Sequence, residues 1–381
     1  MLDLSQWDSR GYYRVGDRKH YSKIAAIEDN IKSSEELRWI FNDDIFSKHD
    51  WTVEPEKSLD DLYAVRAQQL RNDYDWLCLS FSGGSDSVNI LQTFVKNNIQ
   101  LDELLIYGPF SAPESTWTSK FEPGSYMGEL EYVAIPFAKS IREYFPNIKI
   151  TLYDWVDDML TGFENEDWIY LTSNRFNPAS AAKVKFHSMR RDQFEKFDKG
   201  LKVVNIYGVD KPRVYIKDES YYLTFLDLMA WNGSSAQIDQ KSWEYDEWFY
   251  WSPDSIDIMC KQAHILKNFF DANPELRHLI KMETYDEDRS IHILKQLVYP
   301  GWNIKTIQAP KTSNFTMPAN DKWLFTEHLK TPLPSVNLWL KGLSLVDEKL
   351  GDYKDIWLKK GSIHNGVQGT FSKFYKVGNI N

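Results

Sequence analysis

The chain has 381 residues, 42% of them hydrophobic and 26% charged, so it is long enough to bury one large α/β core with additions. Its formal net charge of −10 disfavours nucleic acid and anionic membranes as partners, although a local basic patch could still bind RNA. The two cysteines, Cys78 and Cys260, form no C-x-x-C motif, and no stretch reaches transmembrane length. These features argue against structural zinc and redox motifs and predict a cytoplasmic protein without a membrane segment.

Residues 1–57 are predicted to form an N-terminal extension with one or two short helices. Hydrophobic periodicity is weak in this part of the chain until Glu35 to Phe41. A clearer helix is predicted over Ser58 to Arg71, where Ser58 and Asp61 have the spacing of a capping box and leucines line one face.

The stretch Trp76 to Val95, WLCLSFSGGSDSVNILQTFV, carries the strongest local signal in the chain. Its apolar start, Trp76 to Leu79, predicts a strand buried on both faces. The spacing of Val88, Leu91 and Val95 predicts a helix after the intervening SGGSDS. Paired glycines let the backbone turn sharply and let a ligand approach, and uncapped amides at a helix start bind phosphate. The stretch therefore predicts a phosphate-binding loop.

The SGGSDS segment is not a Walker loop, because it lacks the G-x-x-x-x-G-K-[ST] spacing and has no lysine. It resembles the SGGxDS signature of the PP-loop ATP pyrophosphatases, a superfamily that includes asparagine, GMP and NAD synthetases and tRNA-lysidine synthetase. The resemblance implies ATP and Mg²⁺ as ligands, with Asp86 on the metal and the phosphates held by Ser82, Gly83, Gly84, Ser85 and Ser87. A serine-capped helix with a favourably placed aspartate is the structural alternative, but it does not explain the paired glycines.

Alternating strands and helices after this loop predict an α/β fold with a doubly wound parallel sheet. The predicted strands are Leu104–Tyr107, Ile148–Trp155 and Val203–Tyr207, with helices around Gly128–Tyr144 and Ala179–Phe197. Ligands of such sheets bind beyond the carboxyl ends of the strands. The PP-loop resemblance implies a sheet of HUP/PP-loop type and an ATP-binding domain over residues 58–224. It also implies that Ile106 and Tyr107 flank the adenine.

The segment Gly208 to Arg213, GVDKPR, follows a predicted strand and is the second candidate site. Gly208 leaves the backbone accessible, Asp210 offers a second Mg²⁺ ligand, and Lys211 offers positive charge for pyrophosphate. Its position is similar to that of the second ATP-site loop of asparagine synthetases. An ordinary turn explains these residues equally well, because residues 214–216 and 221–223 predict a hairpin.

Residues 225–381 are assigned to a mostly helical, aromatic-rich C-terminal lobe packed on the ligand edge of the sheet. Ser252 and Pro253 are expected to begin a helix that Asn273 and Pro274 end. An aromatic cluster precedes this helix and comprises Trp231, Trp243, Tyr245, Trp248, Phe249, Tyr250 and Trp251.

The resemblance implies adenylation of an acceptor carboxylate or carbonyl by ATP, release of pyrophosphate, and displacement of AMP by an amine or ammonia. In this scheme Asp86 and Asp210 hold Mg²⁺, Lys211 neutralises pyrophosphate, and Asp86 and Lys211 are the candidate catalytic residues. The partners are then a small-molecule acceptor and an amine or ammonia donor. Position 2 is Leu rather than Cys, so glutamine hydrolysis by this chain is not predicted and a separate protein is a possible nitrogen source.

Three alternatives stay open. Phosphoadenosine-phosphosulfate reductases have a similar loop, but they usually carry lysine where this chain has Ser85 and rely on a C-terminal cysteine missing here. A sulfur-transferring tRNA enzyme is disfavoured by the lack of paired cysteines and by the net charge of −10. A regulatory or interaction protein that binds a nucleotide without turnover belongs to a different class, and the aromatic C-terminal lobe is compatible with it.

Overall fold

The computed structural model describes residues 5–108, 110–111, 130–154, 156, 167–171, 176, 195–196, 198–211, 213–227, 245–300, 334–359, 363 and 366–381. The helix predicted over Ala179–Phe197 lies outside these ranges, apart from residues 195–196, as do Trp231 and Trp243 of the aromatic cluster. Within the described ranges, no helix combines the length and apolarity needed to cross a membrane.

Three short strands and two helices form the N-terminal part of the chain. They are β1 (Tyr12–Val15), β2 (Arg18–His20), α1 (Lys23–Ser33), β3 (Leu37–Ile40) and α2 (Asp43–Phe46), and the strands form an antiparallel sheet in the order β2-β1-β3. The sequence predicts short helices in this part but not the sheet. Each strand has only three or four residues, and in β1 the exposed Arg14 separates the buried Tyr13 and Val15. Such short segments offer too few alternating positions for a reliable strand signal.

Helices and strands alternate in the next part of the chain, as predicted. The elements are α3 (Leu59–Asp73), β4 (Trp76–Ser80), α4 (Ser85–Lys96), β5 (Glu103–Gly108), α5 (Ile135–Ser140), β6 (Lys149–Asp154), α6 (Trp168–Leu171) and β7 (Val203–Tyr207). The hydroxyl of Ser58 caps α3 by accepting a hydrogen bond from the Asp61 amide at 3.2 Å. This contact confirms the predicted helix start.

The last part of the chain contains both helices and strands. These are β8 (Arg213–Lys217), β9 (Ser220–Thr224), β10 (Tyr245–Trp248), α7 (Ile256–Ala272), α8 (Glu287–Val298), α9 (Pro334–Leu350), α10 (Lys354–Trp357) and β11 (Tyr375–Asn379). Strands β8 and β9 form the predicted hairpin, and β11 adds to it in the order β11-β9-β8. The predicted C-terminal lobe thus contributes β10 and β11 to sheets built by earlier residues, and its boundary at residue 224 stays a prediction.

A five-stranded parallel sheet lies at the centre of the protein, with the strand order β10-β7-β4-β5-β6. The chain enters the sheet at β4, moves outward through β5 and β6, and returns to the other side of β4 with β7 and β10. This is the order of a Rossmann-like, doubly wound sheet. The strand order reverses between β4 and β7, and such sheets bind ligands in the crevice beyond the carboxyl ends of the strands at that point.

Two groups of helices bury this sheet. Leu77 and Leu79 of β4 belong to a large hydrophobic cluster that includes residues of α3, α4 and α7. Tyr107 of β5 and Tyr153 of β6 pack against a second cluster, which includes residues of α1, α6 and α9. The side chains of Leu77 and Leu79 are completely buried, which fits an apolar central strand.

The stability of the protein is expected to depend on pH through one buried carboxyl group of the parallel sheet. Asp246 of β10 accepts a hydrogen bond from the Asn205 amide at 3.4 Å. Burial raises the pKa of Asp246 from its ordinary value of 3.8 to about 6, and the nearby positive charge of Arg10 opposes this. The folded protein therefore binds this proton more tightly than the unfolded chain does. The stability contributed by Asp246 falls as the pH rises from about 4 to about 6.

We therefore expect Asp246→Asn to raise the free energy of unfolding by about 1–3 kcal/mol near pH 7.5, because the variant has no charge to bury. Near pH 3.5 the carboxyl is protonated in the folded state and mostly protonated in the unfolded chain, so the expected gain is close to zero. Urea unfolding of parent and variant at both pH values measures the difference, and the exposed Asp352→Asn is the control. An equal effect of Asp246→Asn at the two pH values would contradict this prediction.

Candidate functional site

The SGGSDS segment forms the turn between β4 and α4, at the carboxyl end of the central strand. Gly84 is the N-cap of α4, with φ −72° and ψ 163°, and no side chain in the described part of the chain caps this helix. The Ser82 hydroxyl accepts a hydrogen bond from the Gly84 amide at 3.2 Å, and the Ser87 hydroxyl donates to the Gly84 carbonyl at 3.1 Å. The first-turn amides of α4 are therefore available to an anion.

The two glycines of this turn have different structural roles. Gly83 has φ +79°, a conformation that residues with a Cβ rarely adopt, and an added Cβ would lie 2.9 Å from the backbone nitrogen of Ala134. Gly84 has a φ that any residue adopts. Gly83 is thus required for the shape of the turn, whereas the backbone conformation of Gly84 does not require a glycine.

This difference predicts unequal effects of alanine at the two positions. We expect Gly83→Ala to lower the free energy of unfolding by about 2 kcal/mol or more, from left-handed backbone strain and the contact with Ala134. Gly84→Ala should cost less than about 1 kcal/mol, the difference between glycine and alanine at an N-cap. Chemical denaturation of the two variants measures this contrast. Equal losses would mean that Gly83 does not fix the turn.

The second predicted loop follows β7 and lies directly against the first. A Cβ at Gly208 would lie 2.9 Å from the Cβ of Asp86, so a glycine is needed where the loops touch. The Nζ of Lys211 lies 2.5 and 2.6 Å from the two carboxylate oxygens of Asp86 and 3.3 Å from an oxygen of Asp210. The structure therefore brings together Gly208, Asp210 and Lys211 with Asp86 of the SGGSDS turn.

The contact between Asp86 and Lys211 is an ion pair at the edge of the protein interior. The Lys211 side chain is 7% exposed and the Asp86 side chain is 24% exposed. Burial alone would raise the pKa of Asp86, but the Lys211 ammonium, together with a hydrogen bond from Tyr299 and the charge of Lys295, holds the pKa below its ordinary value. Burial would likewise lower the pKa of Lys211, but the carboxylates of Asp86 and Asp210 raise it. Both partners are therefore ionised at neutral pH.

Two tyrosines that the sequence does not identify as site residues hold Asp86 in place. The Tyr299 hydroxyl donates a hydrogen bond to the Asp86 carboxylate, and the Tyr250 hydroxyl donates to the Asp86 backbone carbonyl at 3.0 Å. Asn89 of α4 donates to the Tyr250 hydroxyl at 2.9 Å. Burial, together with the nearby charge of Asp86, raises the pKa of both tyrosines well above the ordinary value, so both stay protonated and remain donors.

The two residues predicted to flank adenine lie at the carboxyl end of β5, next to β4. The side chain of Ile106 is completely buried in the core, so it is not available to contact a nucleotide. The side chain of Tyr107 is partly buried, and its ring packs edge-on against Tyr153 with 5.5 Å between the ring centres. Of these two side chains, therefore, only Tyr107 is a candidate for contact with adenine.

The donors for a metal ion are few in the part of the chain that the structure describes. It contains no group of three or more His, Cys, Asp or Glu side chains placed to hold a metal ion. Asp86 and Asp210 instead share the ammonium of Lys211. Mg²⁺ that arrives with a nucleotide takes ligands from phosphates and water and needs only one or two carboxylates. These residues thus fit a metal delivered with ATP better than a free metal ion.

Together the two loops combine uncapped amides, serine hydroxyls and a lysine at the place where the strand order reverses. This combination is suited to binding a phosphate group and to stabilising negative charge that develops on it. No protein-family model matches the sequence, and a search of curated proteins finds no match.

Proposed function

We propose that this protein binds ATP at Ser82–Ser87, transfers its AMP to an acceptor carboxylate or carbonyl, and releases pyrophosphate. An amine or ammonia then displaces the AMP, and a separate protein is one source of this nitrogen. The observation that carries this proposal is the contact between the loops after β4 and β7 at the reversal of strand order. Ligands of doubly wound sheets bind at this position. The SGGSDS motif adds its resemblance to the PP-loop ATP pyrophosphatases and to the synthetase domain of asparagine synthetase.

The phosphate-binding residues and the charged residues of the two loops have separate roles in this reaction. The amides and hydroxyls of residues 82–87 hold the phosphates, and the Lys211 ammonium stabilises the charge that grows on the departing pyrophosphate. Asp86 and Asp210 would hold the Mg²⁺ that accompanies ATP, and the ion supplies further charge neutralisation. Both cysteines are buried free thiols, which supports our placing this activity in the reducing cytoplasm.

A second candidate function, nucleotide binding without turnover, is favoured by the contacts of Asp86. Its carboxylate is engaged by both Lys211 and Tyr299, so these contacts must rearrange before Asp86 can coordinate a metal ion. A protein that retains these contacts when ATP binds would act as a nucleotide-dependent regulator.

Product analysis separates these two functions. The protein is incubated with labelled ATP and Mg²⁺ and with candidate acceptors and amines, and AMP with pyrophosphate is resolved from ADP with phosphate. Formation of AMP and pyrophosphate supports the synthetase, and ATP binding without products supports the regulator. ADP as the sole product would exclude this mechanistic class.

The site itself is tested by calorimetry of ATP binding to Gly84→Val. The valine side chain would obstruct the approach to the amides of α4, while the φ of −72° at this position accepts it. We expect ATP binding to be lost and the fold to be kept, with a smaller loss of affinity for the matched variant Gly84→Ala. Unchanged affinity in Gly84→Val would show that ATP does not bind at this loop.

A further inference from the structure

Lys211 is held between the two carboxylates that the proposed function assigns to a metal ion. Its Nζ lies 2.5 and 2.6 Å from the two oxygens of Asp86 and 3.3 Å from an oxygen of Asp210. The ring of Tyr299 adds a cation–π contact, with its centre 5.7 Å from the Nζ. The ammonium therefore lies among the oxygen atoms that a metal ion at this site would use.

The contact between the two loops limits how far these carboxylates can move apart. A Cβ at Gly208 would lie 2.9 Å from the Cβ of Asp86, so the loops touch at this point. The hydroxyls of Tyr250 and Tyr299 also hold the backbone and the carboxylate of Asp86. Two carboxylates gathered in this way repel each other unless a cation lies between them. In this structure that cation is the ammonium of Lys211.

Burial makes it costly for Lys211 to leave these carboxylates unless another acceptor is present. Its side chain is 7% exposed, and in the described part of the chain its ammonium donates hydrogen bonds to Asp86 and Asp210 only. A free divalent cation that displaced the ammonium would leave it buried without a partner. Free Mg²⁺ would also have to shed water that it holds tightly. Phosphate oxygens beside the loops remove the first of these costs, because they accept hydrogen bonds from the displaced ammonium.

We propose that Lys211 makes the site selective for a metal ion that arrives together with a nucleotide, an inference that rests on the proposed function. The ammonium competes with free divalent cations for Asp86 and Asp210 and excludes them. A nucleotide phosphate offers the ammonium new acceptors, and the flexible four-carbon stem of lysine lets it turn toward them. Lys211 is thus the counter-ion of the carboxylates before the nucleotide binds and of the phosphates afterwards.

The exclusion of free cations is tested by titrating the full chain with Mn²⁺ in the absence of nucleotide, with EPR detection of the unbound ion. We expect Lys211→Met to bind Mn²⁺ at least about tenfold more tightly than the parent does, because the two carboxylates then lack a cation. Lys217→Met is the matched control, since Lys217 of β8 is exposed and its loss changes the net charge equally. Equal affinity of the parent and Lys211→Met for Mn²⁺ would overturn the proposal.

A second substitution locates the gained cation site. Asp86→Asn in the Lys211→Met background should return the affinity for Mn²⁺ to that of the parent, and a site that survives this change would overturn the proposal. If Lys211→Met fails to fold, Lys211→Gln takes its place, because its amide still donates a hydrogen bond but carries no charge. The parent alone also gives a decisive result. Mn²⁺ binding to the parent with a Kd on the order of 10 µM or below, removed by Asp86→Asn, would show that Lys211 does not exclude the free ion.

Calorimetry with Mg·ATP distinguishes failure of this inference from failure of the proposed function. Loss of the contact between Lys211 and the phosphates should weaken Mg·ATP binding to Lys211→Met about 10–100-fold, although the same variant gains affinity for free Mn²⁺. Weaker Mg·ATP binding without that gain would overturn the exclusion by Lys211 and leave the proposed function intact. A gain in Mn²⁺ affinity in a protein that binds no ATP would overturn the proposed function, and with it the transfer of Lys211 to the phosphates.

Discussion

Replacing Asp86 with Asn is expected to lower turnover of Mg·ATP by about 10²–10³-fold and to weaken Mg-dependent ATP binding. The amide keeps the size of the carboxylate but carries no charge. It therefore cannot share a metal ion with Asp210, and it holds the Lys211 ammonium more weakly than the ion pair does. The rate of pyrophosphate release and calorimetry with Mg·ATP measure the two effects.

The effect of Asp86→Asn on the affinity for ATP should have the opposite sign when no metal is present. A carboxylate beside a triphosphate repels it unless a cation lies between them. Asp86→Asn removes that repulsion and frees Lys211 for the phosphates, so affinity for metal-free ATP is expected to be kept or increased. If Asp86 binds the metal ion, Asp86→Asn should weaken ATP binding with Mg²⁺ but not without it. Loss of folding alone would weaken ATP binding under both conditions.

Asp210→Asn tests the second proposed metal ligand. The nearest oxygen of Asp210 lies 3.3 Å from the Nζ of Lys211, farther than the oxygens of Asp86 at 2.5 and 2.6 Å, so its charge interacts with that ammonium more weakly. We expect Asp210→Asn to change turnover and ATP affinity in the same directions as Asp86→Asn, but by smaller factors. If both asparagine variants bind Mg·ATP and turn over like the parent, these carboxylates act only as helix-end and turn residues. The non-catalytic nucleotide-binding protein would then be the better hypothesis.

The parts of the site that the sequence predicts are those with local signals. The strand, the SGGSDS turn and α4 lie within 21 consecutive residues, Trp76 to Lys96, and the apolar run, paired glycines and helical spacing all point to the same structure there. The loop after β7 is predicted because it follows a strand, and parallel strands present their carboxyl ends at the same edge of a sheet. The contact between Gly208 and Asp86 follows from that topology.

The tyrosines around Asp86 could not be predicted in this way. Tyr250 and Tyr299 lie 164 and 213 positions from Asp86 in the chain. Only the tertiary fold brings them close to α4. The chain has 21 tyrosines, and nothing in the sequence around these two distinguishes them as site residues. Strand β10 could not be predicted for the same reason, because its four residues join the parallel sheet only by pairing with the distant β7.

A second buried ion pair joins three distant parts of the chain. The ammonium of Lys23 in α1 donates to a carboxylate oxygen of Asp227 and to the Gln368 carbonyl, each at 2.5 Å. Asp227 also accepts hydrogen bonds from the Tyr13 hydroxyl at 2.8 Å and from the Thr370 amide at 2.7 Å. The side chains of Lys23 and Asp227 are 1% and 0% exposed, so each charge depends on these partners for stabilisation.

We expect Lys23→Met to lower the free energy of unfolding by about 3–5 kcal/mol, because it leaves the Asp227 carboxylate buried without its cation. The double variant Lys23→Met with Asp227→Leu removes both charges and should recover part of this loss, although Tyr13 and Thr370 then lose their acceptor. Urea unfolding measures both variants, with the exposed Lys48→Met as the control. A loss below about 1 kcal/mol for Lys23→Met would mean that water or a rearranged partner compensates the carboxylate.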